Sequence, residues 1–183
     1  MAGRLIAVVG PSGVGKDSVM AGLAAAHPGL GLVRRVITRE ADAGGEVFEP
    51  VSDAEFAARK AAGAFALDWT AHGLSYGVPA SVQADLDRGG DLLVNLSRSV
   101  LIPAAQRFPG LRVLVLRAAP ETLAARLAGR GRESADDIAA RLARDVALPA
   151  GLDLCQISND GALRDTVAAA LAGLYPESAA RAI

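Results

Sequence analysis

The sequence predicts an α/β fold of three layers, in which helices cover both faces of a parallel sheet of about five strands. Short apolar runs typical of buried strands alternate with helical segments along most of the 183 residues. A glycine-rich turn joins the first apolar run to the first helix. Between residues 34 and 88 the alternation is interrupted, which indicates a smaller subdomain inserted into a single domain.

The first apolar run, Leu5–Val9, predicts a buried strand, and a helix is predicted over 17–26. The stretch that joins them is glycine-rich and consists of Gly10, Pro11, Ser12, Gly13, Val14, Gly15, Lys16, Asp17 and Ser18. Strand, glycine-rich turn and helix follow in the order of a phosphate-binding P-loop, whose backbone N–H groups and lysine contact a nucleotide's phosphates. We therefore predict a nucleotide-binding loop here. The alternative is an ordinary glycine-rich turn between strand and helix.

The residue after the P-loop lysine departs from the usual motif. Ser or Thr normally stands there and binds Mg²⁺ through its hydroxyl group, whereas this chain has Asp17. The nearest hydroxyl belongs to Ser18, which lies about 100° further round the helix and cannot replace the missing group. Because a carboxylate is a hard oxygen ligand, we predict that Asp17 binds Mg²⁺ directly or through water.

Composition excludes several classes of function. The net charge is −1, so there is no global basic field that would favour nucleic-acid binding. The single cysteine, Cys155, excludes an intrachain disulfide and a multi-cysteine metal site, and its apolar neighbours predict a buried thiol. No signal peptide is evident, and no apolar stretch approaches the ~20 residues that span a bilayer. A cytoplasmic protein without membrane partners is expected.

The inserted region begins with a predicted strand over 32–39, rich in β-branched residues. Arg35 and Arg39 fall on one face of this strand, and the guanidinium fork suits phosphate, so we predict an anion site. Solvated arginines on an edge strand are the alternative. The rest of the region is predicted as a loop over 41–50, a helix capped by Ser52 and Glu55, a hairpin of strands 65–69 and 74–78 around His72, and a helix over 81–88.

Three further apolar runs predict strands, with helices between them and a closing helix. The strands are 91–96, 111–116 and 152–157, and the helices between them end near 108 and run over 120–129. Asn95 and Arg98 lie at the carboxyl end of strand 91–96, the edge where open α/β sheets bind ligands.

Arginines surround Gly129 and Gly131, and they predict a mobile cationic lid over the phosphates. They are Arg126, Arg130, Arg132 and Arg141. The alternative is a solvated helical face on which Asp136 and Asp137 pair with Arg141. We therefore predict a single domain with a core of residues 1–33, 89–127 and 146–183, an acceptor-binding subdomain of 34–88 and a lid of 128–145.

Several motifs together resemble the guanylate kinase superfamily over nearly the whole chain. They are Gly10 to Lys16, Thr38-Arg39, Gly63 to Phe65, Tyr76-Gly77, Arg130 to Glu133 and Asn159-Asp160. The chain departs from guanylate kinases where that family reads guanine, with Leu67 in place of a glutamate and Val78 in place of a threonine. Because apolar replacements leave the base edge unpaired, guanine is expected to bind poorly.

Within the superfamily, the sequence is more similar to the ribose 1,5-bisphosphate phosphokinases of phosphonate degradation. The shared motifs are 10–18, 37–39, 73–78, 93–98, 130–133 and 159–164. The resemblance implies transfer of the γ-phosphoryl group of ATP to the 1-phosphate of ribose 1,5-bisphosphate, which forms 5-phosphoribosyl 1-diphosphate and ADP, with Mg²⁺ as cofactor. At Val47 and Phe48 the sequence departs from the polar residues expected of that family. The expected partners are the small-molecule substrates ATP and ribose 1,5-bisphosphate. The protein is expected to be a monomer or a homodimer.

Site residues are expected from these motifs. Those expected to take part in phosphoryl transfer are Lys16, Arg126, Arg130, Arg132 and Arg141. Those expected to bind the acceptor are Arg35, Thr38, Arg39, His72, Tyr76, Asn95 and Arg98. For His72 a turn role is equally open, and for Asn159, expected at the nucleotide, a turn or a helix cap is the alternative.

Three other functions remain open on the sequence. They are a nucleoside monophosphate kinase with altered base preference, a small-sugar kinase, and a catalytically inactive interaction module of guanylate kinase type. The retained Lys16 and glycines disfavour the inactive module. A hydroxyl acceptor normally needs a nearby base, which disfavours the sugar kinase.

Overall fold

The computed structural model of the chain describes residues 2–40, 46–129 and 148–176. Within them the chain forms nine strands and six α-helices. The strands are β1 (Leu5–Val9), β2 (Leu30–Leu32), β3 (Val36–Ile37), β4 (Glu49–Pro50), β5 (Phe65–Ala71), β6 (Leu74–Pro79), β7 (Asp91–Asn95), β8 (Arg112–Arg117) and β9 (Asp153–Ser158). The helices are α1 (Lys16–Ala26), α2 (Asp53–Ala61), α3 (Val82–Asp87), α4 (Leu101–Arg107), α5 (Pro120–Ala128) and α6 (Leu163–Leu174).

The main sheet has five parallel strands, as predicted, and the structure shows their order to be β2-β7-β1-β8-β9. All five residues of the central strand β1 are buried, because helices or other strands cover both faces of the sheet. Ile6 and Val8 pack on one face, in a cluster with residues of α1 and α6. Leu5 and Ala7 pack on the other, against α4 and the smaller sheet. The three predicted layers are therefore confirmed.

A second sheet of four strands, β4-β3-β6-β5, lies within the inserted region. The single strand predicted over 32–39 is wrong, because β2 belongs to the main sheet and β3 to the second one. The N–H group of Val33 still bonds to the carbonyl of Leu93 in β7, whereas that of Thr38 bonds to the carbonyl of Ser75 in β6. The chain changes sheets between these two bonds, so a period of two does not run through the segment.

The predicted hairpin is confirmed: β5 and β6 pair in antiparallel fashion around His72 and Gly73. Both residues have positive φ, 53° and 73°, as a two-residue hairpin turn requires. Part of the loop predicted over 41–50 is wrong, because β4 lies within it and pairs with β3. Residues 41–45 lie outside the described residues.

The other helices and strands predicted within the described ranges are confirmed, and their ends differ from the predicted ones by no more than two residues. At α2, the N–H group of Glu55 donates to Ser52 Oγ at 3.2 Å, which confirms the predicted cap. The alternative of a helix cap at Asn159 is wrong, because Ala162 occupies the N-cap position of α6. Cys155 is buried as predicted. None of the helices in the described ranges is both long and apolar enough to cross a bilayer.

Candidate functional site

The P-loop connects the carboxyl end of β1 to α1 and is built on left-handed glycines. Gly15 has φ 89° and stands directly before the helix, where its N–H group is one of the helix's unpaired donors. A Cβ atom on Gly15 would lie 2.9 Å from Nδ2 of Asn159, so no larger residue fits. The loop therefore presents backbone donors at the positive end of a helix, which is an anion-binding arrangement.

Lys16 reaches back across its own loop. Its Nζ donates hydrogen bonds to the carbonyl oxygens of Gly10 at 3.0 Å and Pro11 at 3.2 Å. The pKa of Lys16 is lowered to about 8, chiefly by burial and also by the positive charges of Arg35 and Arg98, while Asp17 acts in the opposite direction. Two of the arginines predicted to bind the acceptor therefore lie close enough to Lys16 to affect its pKa.

Behind the loop, Asn159 and Arg126 hold the carbonyl group of Val14. Asn159 Nδ2 lies 2.7 Å and Arg126 Nη1 lies 3.4 Å from the Val14 oxygen, and Arg126 Nη2 donates to the Asn159 carbonyl at 2.8 Å. Thr166 of α6 donates to Asn159 Oδ1 at 2.7 Å. Asn159 is only 5% exposed, so its amide group is committed to protein partners.

Asp17 is exposed in the first turn of α1, and Asn95 at the end of β7 lies beside it, with Nδ2 3.5 Å from Asp17 Oδ1. In the described ranges no group of three or more histidine, cysteine, aspartate or glutamate residues is arranged to hold a metal ion. One carboxylate beside a phosphate-binding loop fits Mg²⁺, which commonly takes one or two carboxylates and fills its remaining positions with phosphate oxygens and water.

Arg35 precedes β3 and is the most buried charged residue described, at 6% exposure. Its Nη2 pairs with a carboxylate oxygen of Glu46, and its guanidinium carbon lies 5.1 Å from the ring centre of Tyr76 and 5.5 Å from that of Trp69. The two rings stack on each other at 5.2 Å. The Nε atom of Arg35 is buried without a hydrogen-bond partner. The group is thus rigidly held and has donor capacity left for an anion.

Two more arginines contact the segment that begins at residue 46. The guanidinium of Arg39 lies 4.3 Å from the ring centre of Phe48, and Arg34 Nη2 donates to the Phe48 carbonyl at 3.2 Å. Phe48 is buried, whereas Val47 beside it is 81% exposed. The apolar residue at position 48 therefore serves as a platform for Arg39.

The two apolar residues that depart from the guanylate kinase pattern, Leu67 and Val78, are buried in the protein's own core. Leu67 of β5 and Val78 of β6 face each other in the hairpin and are 8% and 0% exposed. Both belong to the same apolar cluster as Trp69.

The remaining predicted site residues divide into three groups. Thr38 is tied to the hairpin, because its Oγ1 accepts a hydrogen bond from the Ser75 N–H group at 2.9 Å. His72 is exposed in the hairpin turn, and no described contact links it to the P-loop. The predictions for Arg130, Arg132 and Arg141, and with them the lid, lie outside the described residues.

Sequence reasoning missed the roles of Glu46 and Thr166. Glu46 follows two glycines in a segment that looked like a plain loop, and the only signal was an acid eleven positions after a strand arginine. Thr166 stands inside a closing helix, where a buried hydroxyl on an otherwise apolar face was the available signal.

The chain was also compared with known proteins. A family model described as an AAA domain matches residues 6–147. Among curated relatives, the ribose 1,5-bisphosphate phosphokinase PhnN of Ruegeria sp. (strain TM1040) is 52% identical over 97% of this chain and 94% of its own length. That of Pseudomonas paraeruginosa is 48% identical over 95% and 96%, and that of Agrobacterium fabrum is 47% identical over 88% and 90%.

Solved structures show the same fold at low identity. A guanylate kinase from Anaplasma phagocytophilum superposes with a TM-score of 0.69 at 17% identity, over 91% of this chain and 81% of its own. A gluconokinase from Sinorhizobium meliloti 1021 superposes with a TM-score of 0.58 at 20% identity, over 98% and 95%. At these identities the likeness concerns the fold alone.

Proposed function

The chain belongs to the ribose 1,5-bisphosphate phosphokinase PhnN family and also matches the AAA domain family model, and we propose that it carries out the phosphokinase reaction. The γ-phosphoryl group of ATP passes to the 1-phosphate oxygen of ribose 1,5-bisphosphate. The O–P bond to ADP breaks, a new P–O–P linkage forms, and the products are 5-phosphoribosyl 1-diphosphate and ADP. ATP and Mg²⁺ are the proposed cofactors.

The observation that carries this proposal is the convergence of cations on the P-loop. Lys16 follows β1 and Arg98 follows β7, the parallel neighbour of β1, so both lie at the same edge of the sheet, and Arg35 of the inserted region acts electrostatically on the same lysine. Donor and acceptor phosphates that meet there carry several negative charges between them. A cationic site neutralises their repulsion and holds the two oxygens in line, which is what phosphoryl transfer requires of a protein.

No general base is needed for this acceptor. The attacking atom is a phosphate oxygen that is already ionised at neutral pH, so no proton has to be removed in the transition state. Near the P-loop, the carboxylate of Glu46 is paired with Arg35, and that of Asp17 lies beside Asn95. We assign Asp17 to Mg²⁺, which supplies further charge neutralisation at the β- and γ-phosphates when bound. Arg130, Arg132 and Arg141 are proposed, from the sequence alone, to contact the transferring group.

The apolar packing of the β5–β6 hairpin supports an acceptor without a nucleobase. Leu67 and Val78 lie in the core and present no polar group to a purine edge. Instead, the buried guanidinium of Arg35 can bind a phosphate, and the stacked rings of Trp69 and Tyr76 beside it provide an aromatic surface for the sugar. This combination favours a phosphorylated sugar over a nucleoside monophosphate.

The test is an acceptor screen with the purified chain and MgATP. Ribose 1,5-bisphosphate, ribose 5-phosphate, GMP, AMP and UMP are compared by coupled ADP release, and ³¹P NMR identifies a diphosphate at carbon 1. We expect turnover with ribose 1,5-bisphosphate only, since ribose 5-phosphate lacks the attacking phosphate. Lys16→Ala, which removes the P-loop charge, serves as the control for contaminating kinases. Faster turnover with GMP than with the sugar bisphosphate would overturn the proposal in favour of a nucleoside monophosphate kinase.

A further inference from the structure

A buried polar chain connects α6 to the nucleotide loop. It runs from the hydroxyl of Thr166 to the side-chain amide of Asn159 and on to the carbonyl of Val14, with both bonds at 2.7 Å. Thr166 is 4% exposed and Asn159 is 5% exposed, so water does not compete for these bonds. Asn159 and Val14 are 145 positions apart in the sequence.

The orientation of the Asn159 amide follows from its partners. The Val14 carbonyl can only accept, so the NH₂ group must face it, which leaves Oδ1 to accept the Thr166 hydroxyl proton. Thr166 thereby fixes which end of the amide meets the loop. Losing this hydroxyl would leave a buried carbonyl oxygen without a donor and free the amide to turn.

Holding the Val14 carbonyl has a consequence on the other side of the peptide bond. In a trans peptide the carbonyl and the following N–H group point in opposite directions, so the N–H of Gly15 points away from Asn159. Gly15 is the left-handed residue that opens α1, and its Cα is so close to Asn159 that a Cβ would collide. By holding the Val14 carbonyl, Asn159 therefore sets the direction of the Gly15 N–H group, which it does not contact.

We propose that Asn159, locked by Thr166, is a positioning residue that orients the P-loop amides toward the triphosphate, and that it acts on the nucleotide through Val14 and Gly15 instead of by touching the base. Arg126 has the same task, since its guanidinium bridges the Val14 and Asn159 carbonyl groups. The inference rests on the proposed function only in requiring that the P-loop binds a nucleoside triphosphate; the acceptor does not enter it.

The test measures binding without acceptor, on the full chain, by isothermal titration calorimetry. Two ligands are compared, ATP and inorganic tripolyphosphate, because only the first has a base. Thr166→Val keeps the shape of the side chain but removes the hydroxyl, Thr166→Ser keeps the hydroxyl, and Asn159→Ala removes the amide. We expect Thr166→Val and Asn159→Ala to weaken both ligands by a similar factor, about tenfold, as the loss of one buried hydrogen bond implies. Thr166→Ser should restore binding to within about twofold.

Two results would overturn the inference. A loss confined to ATP, with tripolyphosphate binding unchanged, would mean that Asn159 contacts the base. Unchanged binding of both ligands in Thr166→Val would mean that the polar chain does not orient the loop. If Asn159→Ala fails to fold, the comparison of Thr166→Val with Thr166→Ser decides alone. Failure of the proposed function is separate, since a kinase with another acceptor would still show the same binding losses.

Steady-state kinetics provide a second readout, which a purely structural role would not affect selectively. Loop orientation acts on the ATP phosphates and not on the acceptor site, so Thr166→Val should raise the KM for ATP about tenfold and leave the KM for the acceptor within twofold. An equal rise in both KM values would contradict the assignment.

Discussion

The ammonium group of Lys16 lies 3.0 Å from the carbonyl oxygen of Gly10, the first residue of its own loop. The lysine thus satisfies part of its hydrogen-bonding capacity with the backbone of its own loop. These carbonyl bonds compensate only in part for lost water, and burial lowers the pKa of Lys16 to about 8. The site is therefore poised to take up a proton when an anion arrives.

We expect nucleotide binding to be coupled to proton uptake above pH 8. Triphosphate charge beside Lys16 raises its pKa in the complex, so the free enzyme must first be protonated and ATP affinity should fall by up to tenfold per pH unit above about 8. Calorimetric titrations at pH 8.5 in two buffers of different ionisation enthalpy measure the protons taken up. ATP affinity that is independent of pH from 7 to 9.5 would contradict this prediction.

The same group makes the stability of the folded protein rise with pH, whereas the affinity for ATP falls. The pKa of Lys16 is lower in the folded state than the ordinary value near 10.5, so between about pH 8 and 10.5 the unfolded chain binds more protons. The contribution of Lys16 to the free energy of unfolding should therefore rise with pH across this window. Lys16→Met should remove that rise in urea titrations at pH 7.5 and 9.5, and an identical rise in the variant would refute it.

Asp17→Asn separates the metal role of Asp17 from simple charge. If the carboxylate holds Mg²⁺, its loss should raise the Mg²⁺ concentration for half-maximal activity about tenfold or more. Metal-free ATP should bind the variant more tightly than the parent, because a negative charge next to the triphosphate has gone. Ser18→Ala, at the adjacent exposed position, is the matched control. Weaker binding of metal-free ATP to Asp17→Asn would contradict the prediction.

The pairing of Arg35 with Glu46 suggests that an acceptor phosphate must compete with a built-in carboxylate. We expect Glu46→Gln to bind inorganic phosphate several-fold more tightly and to lower the KM for the acceptor, since the guanidinium is released while the residue's shape is kept. Glu49→Gln, which breaks an ion pair with Arg59 in the same segment, provides the control. Weaker phosphate binding in Glu46→Gln would mean that Glu46 holds Arg35 in position for the acceptor instead of competing with it.

The main sheet could be predicted from the sequence because its strands are buried on both faces. Burial on both faces leaves contiguous apolar runs such as Leu5–Val9, and the P-loop glycines mark where the first run ends. The change of sheet between β2 and β3 could not be predicted in this way. Val33 and Thr38 bond to strands more than thirty positions further along the chain, and a local pattern carries no record of those partners.

The site shows the same division. Lys16 and the arginines expected to bind anions could be predicted from the chemistry of phosphate and from motif spacing. The tasks of Asn159 and Phe48 could not, because each depends on a contact made by folding: an amide against a distant carbonyl, and a ring beneath Arg39. The departure from the family at Phe48 is visible in the sequence, but only the structure shows that Arg39 lies over its ring.

Arg130 lies outside the described residues, and its role as a contact to the transferring phosphoryl group stays a prediction from the sequence. Such an arginine acts on charge that develops in the transition state, so Arg130→Ala should lower kcat by about 10³ and change the Kd for ATP by less than about fivefold. Arg88→Ala, which removes an exposed guanidinium after α3, should leave both values unchanged. Lost ATP affinity with normal turnover would refute the role.

Far from the P-loop, Tyr175 connects the carboxyl end of α6 to the start of β7. Its hydroxyl donates to Asp91 Oδ2 at 2.8 Å, and Arg4 Nη2 donates to the same oxygen at 2.8 Å. Burial acts to raise the pKa of the Asp91 carboxyl, but the bonds from Arg4 and Tyr175 outweigh it and lower the pKa. Burial and the carboxylate raise the pKa of Tyr175 to about 12.

Tyr175→Phe should therefore lower the free energy of unfolding by about 1–2 kcal/mol at neutral pH, as the loss of a hydrogen bond to a charged group implies. The pKa of Tyr175 is raised, so its contribution is full below about pH 10 and is lost as the pH rises toward 12. The pKa of Asp91 is lowered, so its contribution is present above about pH 4 and is lost as the pH falls through the folded value. Urea titrations at pH 3, 7 and 11 should show the largest difference from the parent at pH 7. A difference in the free energy of unfolding that is constant at all three pH values would contradict the assignment. Because Arg4 and Asp91 lie at the amino ends of β1 and β7, opposite the P-loop, kcat should not change.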